Sequence, residues 1–321
     1  MYLCSMKRTN VFLMWAMSML FLSCLACGSE ETLTPEELRL RKIALIDTTL
    51  HNRVPLDSIE GYDQLATLTA EAWMLVDDST GFVISQKNAD KKLYIASITK
   101  MMTCLLALEN GNMDDTIFIT KDVFMTRDSW VKVGDSYRLG DLLREMMLVS
   151  DNNAAYAVAK HIGGDTLTFY GMMNQKALYL GMDSTHFASP NGMPNDSNYS
   201  CASDLVRLSR YAMCDSIFAE TVGTREADLP LVDGRHMPCT NTNQLLATYD
   251  GCIGIKTGFT RQAGNCLASA ATRDGSTLYL ILLGSRSRSS RFKESAVLLD
   301  YGFNAMKAYR AKDEKVKKCE E

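Results

Sequence analysis

The chain has 321 residues, 46% of them hydrophobic and 22% charged, and it carries a formal net charge of −4 at pH 7. This length and balance suit one large globular domain or two modest ones, and they exclude a mainly disordered chain. The 34 Lys and Arg residues are scattered and form no basic stripe, so nucleic acid is not an expected partner.

The N-terminal segment is predicted to be a secretory signal. Lys7 and Arg8 precede an apolar stretch over 11–27, and a positive flank before a short apolar run is typical of an export signal. Cys27 follows a small residue at the end of this stretch and resembles a bacterial lipoprotein processing site. Cys24 is the alternative, and an uncleaved signal anchor is the third option. We therefore expect an exported protein of the periplasm or cell envelope, held at the membrane by a lipid or a signal anchor.

Cysteine usage predicts neither a metal site nor a cofactor. Outside the signal segment there is no C-x-x-C pair, and no His lies at metal-ligand spacing from a cysteine. Export would permit disulfides, but an odd number of cysteines remains if Cys27 carries the lipid. We expect most of the remaining thiols to be small buried apolar residues. They belong to Cys104, Cys201, Cys214, Cys239, Cys252, Cys266 and Cys319.

The first element predicted after the signal is a short helix. Thr34 is a suitable N-cap, Pro35 suits the first helical position, and Glu37 completes a capping box. This helix is expected to link the N-terminal segment to the globular part.

The globular part begins near Leu65 and is predicted to have strands at both ends and helices between them. β-Rich runs over 73–76 and 82–84 flank a turn at Gly81 and indicate a hairpin. Helical spacing of apolar residues follows over 97–109. Further helices are predicted over 139–149, 153–162, 167–180 and 203–214, further strands over 253–257, 266–272 and 277–283, and a final helix over 290–306.

This order of elements predicts an α+β fold. The two groups of strands are expected to join in one antiparallel β-sheet, with helices on its faces and an inserted helical subdomain at one end. The predicted segments are a signal over 1–27, a linker with a short helix over 28–64, a catalytic domain over 65–308 and a tail over 309–321.

Ser97-Ile98-Thr99-Lys100 is the first of three candidate catalytic motifs. Ser97 and Lys100 are three residues apart at the predicted start of a helix, so their side chains share one face. A serine hydroxyl needs a base before it can act as a nucleophile, and a lysine can serve when burial or a nearby cation lowers its pKa. Lys256 is a candidate for that cation. On its own, the motif is more often a capping serine beside a surface lysine.

Ser150-Asp151-Asn152 is the second motif, and it falls on a turn between two helical patterns. From this turn Ser150 is expected to pass a proton between Lys100 and a leaving amine. Asn152 is expected to hydrogen-bond a substrate amide, and Asp151 to stabilise the turn. The competing interpretation is helix capping by Ser and Asn, which is very common.

Lys256-Thr257-Gly258 is the third motif, at the end of a β-branched run that predicts a strand. Lys256 and Thr257 are expected to recognise a carboxylate there. Gly258 lets an extended peptide approach and pair along the strand edge. Each motif alone is weak, but the three in this order are the signature of active-site serine enzymes that bind penicillin.

Over roughly 70–306 the chain resembles the low-molecular-mass penicillin-binding proteins, the D-alanyl-D-alanine carboxypeptidases. Beyond the three motifs, the matching segments are 95–103, 185–187, 190–193 and 254–264. Ile95 departs from the family pattern, which more usually has Pro. The resemblance implies a β-lactamase/transpeptidase-like fold. Because only about 15 residues follow Met306, the C-terminal β-domain and anchoring helix of many members are expected to be missing.

The resemblance also implies roles for further residues. An arginine is expected to bind the substrate carboxylate, and its spacing from the third motif favours Arg291, with Arg286 second. The backbone N–H groups of Ser97 and Phe259 are expected to form an oxyanion hole. His186 is expected to be structural.

These features predict a serine carboxypeptidase that trims the terminal D-alanine from peptidoglycan stem pentapeptides through an acyl-enzyme on Ser97. β-Lactams are expected to acylate the same serine. A DD-endopeptidase is the first alternative, because it uses the same residues. A class A β-lactamase is less favoured, because no E-x-x-L-N deacylation segment lies between Asn152 and Lys256. A sensor that is acylated once is the non-enzymatic alternative.

Overall fold

The computed structural model describes residues 33–127 and 129–320. The predicted signal and its candidate lipidation residues, Cys24 and Cys27, lie outside this part of the chain. Within the described ranges, no helix combines the length and the apolar character that crossing a membrane requires.

The elements fall into three blocks along the chain. The first contains α1 (Pro35–Ala44), α2 (Tyr62–Leu65), β1 (Ala72–Asp77) and β2 (Val83–Lys87). The middle block contains α3 (Lys100–Asn110), β3 (Thr116–Phe118), β4 (Ser136–Arg138), α4 (Leu139–Leu148), α5 (Asn152–Gly163), α6 (Thr166–Tyr179), α7 (Ala202–Ala212), α8 (Ser216–Gly223), β5 (Glu226–Pro230), β6 (His236–Thr240) and α9 (Leu245–Thr248). The last contains β7 (Cys252–Thr260), β8 (Gly264–Arg273), β9 (Ser276–Ser285) and α10 (Arg288–Glu320).

The predicted union of early and late strands in one antiparallel sheet is confirmed. Among the described residues, five strands pair in the order β2-β1-β9-β8-β7. Strand β1 lies between its hairpin partner β2 and the late strand β9, with Leu75 opposite Leu280. The two ends of the globular part therefore meet in the middle of the sheet.

Both faces of this sheet are buried, and the strand residues divide between two cores with a period of two. On β1, Met74 and Val76 face the larger core, while Trp73 and Leu75 face the smaller one. Helix α10 packs on the smaller core, and α7 on the larger. Because helices cover both faces, the strands are almost continuously apolar even though they are antiparallel.

The start of α1 confirms the predicted capping box. The backbone N–H of Glu37 donates to Thr34 Oγ1 at 3.2 Å, and the backbone N–H of Thr34 donates to Glu37 Oε2 at 2.8 Å. The Thr34 hydroxyl also donates to Glu37 Oε2, at 2.8 Å. The two hydrogen bonds that the Thr34 backbone N–H and hydroxyl donate hold the pKa of the Glu37 carboxyl below its usual value.

Several elements differ from the sequence predictions. Helix α10 runs to Glu320, so the predicted tail over 309–321 is helical as far as the structure describes it, because its Lys, Glu and Ala residues favour helix although apolar burial stops near Met306. In the predicted linker, Leu50 and Val54 are buried in the smaller core. The hairpins β3–β4 and β5–β6 and helix α8 were not predicted. Pro230 in the short strand β5 weakens the strand signal there.

The cysteines whose side chains are described are all free thiols. Four of the six are buried, as expected for small apolar residues, and Cys214 and Cys252 are half-buried. Burial raises the pKa of the Cys104 thiol well above its usual value, which makes this thiol unreactive.

Candidate active site

Ser97 lies on a tight 3₁₀ turn, Ala96–Thr99, that leads into α3. Ala96 has a positive φ of 47°, an uncommon conformation for a residue with a side chain. Gly192 packs behind the turn so closely that a Cβ there would lie 1.8 Å from the Ala96 carbonyl oxygen. The loop containing Gly192 therefore presses directly on the backbone that presents Ser97.

Lys100 is buried directly beside Ser97. Its Nζ donates to Ser97 Oγ at 2.9 Å, to Asn152 Oδ1 at 2.9 Å and to the Asn191 carbonyl oxygen at 3.0 Å. Burial lowers the pKa of Lys100 to about 7, while the charge of Asp151 opposes this shift. The sequence suggested burial or a nearby cation as the cause, and the structure shows that burial dominates. A lysine with this pKa can accept a proton from Ser97 near neutral pH.

Ser150 and Asp151 lie on the turn between α4 and α5, while Asn152, which was predicted on the turn, is the first residue of α5. We call residues 150–152 the turn wall. Ser150 has a φ of 67°, in the left-handed region that costs a non-glycine residue roughly 1–2 kcal/mol. Asp151 holds the turn: its carboxylate accepts from Ser129 Oγ at 2.5 Å, from Trp130 N at 3.2 Å and from Ala154 N at 3.0 Å. The last of these bonds caps α5.

Residues 256–259 at the end of β7 face the nucleophile, and we call them the strand wall. A Cβ at Gly258 would lie 3.0 Å from the Ile95 carbonyl oxygen and 3.2 Å from the Ser97 backbone nitrogen. Glycine is therefore needed for the strand to approach the turn that carries Ser97. The hydroxyls of Thr257 and Thr242 are 2.7 Å apart.

Lys256 is the first residue of the strand wall and is 1% exposed. Burial lowers the pKa of Lys256 well below its usual value, and the positive charges of Lys100 and Arg291 lower it further. The two buried lysines therefore disfavour each other's charged form.

Arg291 joins α10 to the strand wall. Its Nη1 donates to the Gly258 carbonyl oxygen at 3.0 Å, and its Nε has no hydrogen-bond partner among the described residues. Burial lowers the pKa of the Arg291 guanidinium to about 10. Arg288, one turn earlier on α10, is exposed, and its charge lies close enough to lower the Arg291 pKa further.

A cleft of about 480 Å³ opens between the two walls. Its lining combines hydroxyls, two arginines and the exposed ring of Phe259. The lining residues are Ser97, Ser150, Thr242, Thr257, Gly258, Phe259, Asn265, Arg288 and Arg291.

The structure brings all nine residues of the predicted site together. Six of them line the cleft. Lys100 is hydrogen-bonded to Ser97 and to Asn152, which connects both residues to the cleft. Lys256 is buried and is hydrogen-bonded to the Thr257 carbonyl oxygen. By contrast, Arg286 and His186 are not lining residues. His186 is hydrogen-bonded through Nδ1 to the Ser197 carbonyl oxygen at 2.6 Å. This contact joins two residues 11 positions apart in the same loop and does not involve the cleft.

Sequence reasoning missed four contributors to the site. Arg288 was detectable, because it lies three residues before Arg291 and so shares a helix face with it. Thr242 and Asn265 lie outside every motif, and only the fold brings them to the cleft. Asn191 acts through its backbone carbonyl, which no side-chain pattern reveals.

Comparison with known proteins identifies the family. A family model described as D-alanyl-D-alanine carboxypeptidase, peptidase family S11, matches residues 60–287. The D-alanyl-D-alanine carboxypeptidase of Streptomyces sp. strain K15 is 34% identical over 256 residues, which cover 74% of this chain and 88% of that protein. The D-alanyl-D-alanine endopeptidase of Pseudomonas aeruginosa is 31% identical over 72% of this chain and 76% of that protein.

Solved structures agree with the sequence matches. The crystal structure of the Streptomyces K15 DD-transpeptidase superposes with a TM-score of 0.69 at 33% sequence identity, covering 74% of this chain and 97% of that one. This likeness confirms the predicted α+β fold. The match over residues 60–287 includes all three motifs, and the chain therefore belongs to peptidase family S11, the D-alanyl-D-alanine carboxypeptidases.

Proposed function

We propose that this chain is a serine carboxypeptidase that removes the terminal D-alanine from peptidoglycan stem peptides ending in D-Ala-D-Ala. The observation that carries the proposal is the buried Lys100 amine, 2.9 Å from Ser97 Oγ and with a pKa of about 7. Family membership supports the substrate, since the family is defined by D-alanyl-D-alanine carboxypeptidases. Such a substrate belongs to the cell envelope.

In the first half of the reaction, neutral Lys100 takes the proton of Ser97 as Oγ attacks the carbonyl of the penultimate D-Ala. The backbone N–H groups of Ser97 and Phe259 stabilise the oxyanion, which the close approach of Gly258 to Ser97 supports. Lys100 then gives this proton through Ser150 to the leaving amine, so free D-Ala departs and Lys100 is neutral again for the second half. Asn152 holds Lys100 and the substrate amide.

In the second half, water attacks the acyl-enzyme and releases the shortened peptide. Lys100 takes a proton from this water and returns it to Ser97.

Before the reaction, Thr257 and Arg291, which line the cleft, bind the terminal carboxylate of the substrate, and the buried Lys256 lies next to Thr257. Arg291 is suited to this role, because this residue lines the cleft and a guanidinium can donate charge-assisted hydrogen bonds to a carboxylate.

The test compares wild type with Ser97→Ala on diacetyl-Lys-D-Ala-D-Ala. Wild type is expected to release free D-Ala and to bind a fluorescent penicillin covalently, whereas Ser97→Ala is expected to do neither. Ser216→Ala is the matched control, because Ser216 is an exposed serine on α8. Penicillin labelling of Ser97→Ala at the wild-type level would overturn the proposal.

A DD-endopeptidase is the second candidate, favoured by the Pseudomonas aeruginosa relative that carries this name. Digestion of purified peptidoglycan separates the two activities. Free D-Ala supports the carboxypeptidase, and monomers released from cross-linked dimers support the endopeptidase. Rapid nitrocefin turnover would instead indicate a β-lactamase. Stable acylation without D-Ala release would indicate a sensor.

We further propose that the mature protein is anchored to the envelope membrane by lipid on Cys27. Cys24 and an uncleaved signal are the alternatives, and all lie outside the described residues. Metabolic labelling with palmitate tests this proposal. Incorporation is expected in wild type and is expected to disappear in Cys27→Ala. Loss in Cys24→Ala alone would reassign the lipidated residue.

A further inference from the structure

Glu145 is a buried acid that the reaction above does not use. It lies on α4, just ahead of the turn wall, and it is 0% exposed. Among the residues that the structure describes, no donor contacts either of its carboxyl oxygens. A buried carboxylate without donors is so unfavourable that such a group takes up a proton instead.

The groups that face Glu145 are mostly acidic themselves. Asp151 of the turn wall and Asp135 interact with it electrostatically, and Tyr137 on β4 and Cys239 on β6 are its other titratable neighbours. Burial and then the charge of Asp151 raise the pKa of the Glu145 carboxyl to about 10. Burial raises the pKa of the Tyr137 hydroxyl and the Cys239 thiol as well, so these neighbours supply no charge near pH 7.

The hydrogen-bond partners distinguish Glu145 from the other two acids. Asp135 accepts from Arg235 Nη2 at 2.5 Å and from the Lys132 backbone N–H at 2.9 Å. Asp151 accepts the three hydrogen bonds that hold the turn wall. Glu145 accepts none. A hydrogen bond between two carboxyl groups needs one proton, and the oxygens of Asp151 already accept three other hydrogen bonds, which leaves Glu145 as the donor.

We propose that Glu145 holds a proton, donates it in a hydrogen bond to Asp151, and by this bond positions the turn wall for reaction at Ser97. Glu145 is thus a positioning residue. Its link to catalysis rests on the proposed function, whereas its protonation does not. The turn wall needs such support because Ser150 is held in a left-handed conformation and the side chain of Asp151 fixes the turn.

A pair of variants at Glu145 separates the hydrogen bond from the packing. Glu145→Gln keeps a donor toward Asp151, while Glu145→Leu has a similar volume and no donor. The second-order rate constant for acylation of Ser97 by fluorescent penicillin is expected to stay within about twofold in the first variant and to fall about tenfold or more in the second. The exposed Glu220→Gln is the control and is expected to acylate at the wild-type rate.

Thermal unfolding measured against pH tests the proton without using activity. A folded-state pKa of about 10, above the ordinary value of 4.5, means that wild type loses stability as pH rises through this window. The Gln variant carries no such proton. The melting temperature of the Gln variant minus that of wild type is therefore expected to increase steadily from pH 6 to pH 9. Lys100 and Lys256 are present in both proteins, so their titration cancels in the difference.

Each result has one meaning. Equal acylation by the Gln and Leu variants would overturn the positioning role. A melting-temperature difference that does not change with pH would overturn the buried proton. Failure of wild type itself to be acylated would instead contradict the proposed function, and the unfolding measurement would still decide whether Glu145 is protonated.

Discussion

The two walls of the cleft are built in different ways. The strand wall is the end of β7, fixed by backbone pairing with β8, in which Thr257 lies opposite Leu267. The turn wall is held by side chains, chiefly the carboxylate of Asp151 and the amide of Asn153. A wall made by a backbone ladder tolerates side-chain changes as long as its approach to Ser97 is clear. A wall made by side-chain hydrogen bonds moves when one of them is removed.

The largest effect is expected from blocking the strand wall with Gly258→Val. The added atoms meet the Ile95 carbonyl and the Ser97 backbone, so the strand and the nucleophile turn must separate. Acylation by fluorescent penicillin is expected to fall about 100-fold, on the basis of ~3 kcal/mol of steric cost, the upper end of the usual range for overpacking. Gly171→Val on α6 is the control, because a Cβ there meets nothing within 4 Å. A near-normal acylation rate in Gly258→Val would show that the strand wall can move aside without disturbing Ser97.

The second largest effect is expected in the pH dependence of the acylation rate. This dependence comes from Lys100, which contacts the turn wall through Asn152. Because the neutral amine is the base, the acylation rate is expected to rise with pH and level off above about 7. Between pH 7 and pH 5 the acylation rate is expected to fall about 50-fold, and the slope approaches tenfold per pH unit well below the pKa. Single-turnover acylation from pH 5 to pH 9 measures this limb. An acylation rate that does not change between pH 5 and pH 9 would show that Lys100 is not the base.

Breaking the turn wall with Asn153→Ala is expected to have an intermediate effect. Its side chain accepts from the backbone N–H groups of Met125 and Thr126 and donates to the carbonyl oxygens of Thr126 and Val131. Removing these bonds is expected to cost about 2–3 kcal/mol of stability, measured by urea unfolding, and about tenfold in acylation.

Asn174→Ala is the matched control for Asn153→Ala. Asn174 also bonds backbone groups with both ends of its amide, at Tyr170 and Phe187, but it lies on α6 away from the cleft. A similar loss of stability with normal acylation is expected. Equal losses of acylation in the two variants would show that the turn wall has no special sensitivity.

The smallest effect is expected from Arg288→Gln at the rim beyond the strand wall. Arg288 is exposed and lines the cleft, so its charge is screened and adds only ~0.2–1 kcal/mol to binding of a carboxylate. The KM for D-Ala-D-Ala peptide is expected to rise about 2- to 4-fold, with kcat unchanged. Arg286→Gln, outside the cleft lining, is the control. A larger rise in KM in Arg288→Gln than in Arg291→Gln would show that Arg288, and not Arg291, is the main ligand of the substrate carboxylate.

The sequence predicted the centre of this site better than its surroundings. The three motifs carry their chemistry in side chains at short spacing, and so Ser97, Lys100 and Asn152 were identified before their contacts were seen. Asn191 contributes a backbone oxygen, and Thr242 enters from a loop far along the chain. Such contributions depend on tertiary structure, and no local pattern contains them.

Glu145 illustrates a different limit of sequence analysis. On a helix, a glutamate among apolar residues is usually taken as a point of solvent exposure. Its burial, its lack of donors and its proximity to Asp151 appear only when α4 is packed against the turn. The α10 boundary was missed for a related reason, because the helix outlasts the apolar pattern that predicted it.

The pairing of β1 with β9 has a consequence for how the protein is made. Leu75 and Leu280 are neighbours in the sheet although about 200 residues separate them in the chain, and contacts of this kind form late and slowly. The helices from α3 to α8 lie between them and depend more on local contacts. We therefore expect that a nascent chain that ends before β9 holds Ser97 without a complete sheet behind it. Reactivity toward penicillin then reports completion of the whole domain, and pulse-labelling during synthesis would follow that final closure.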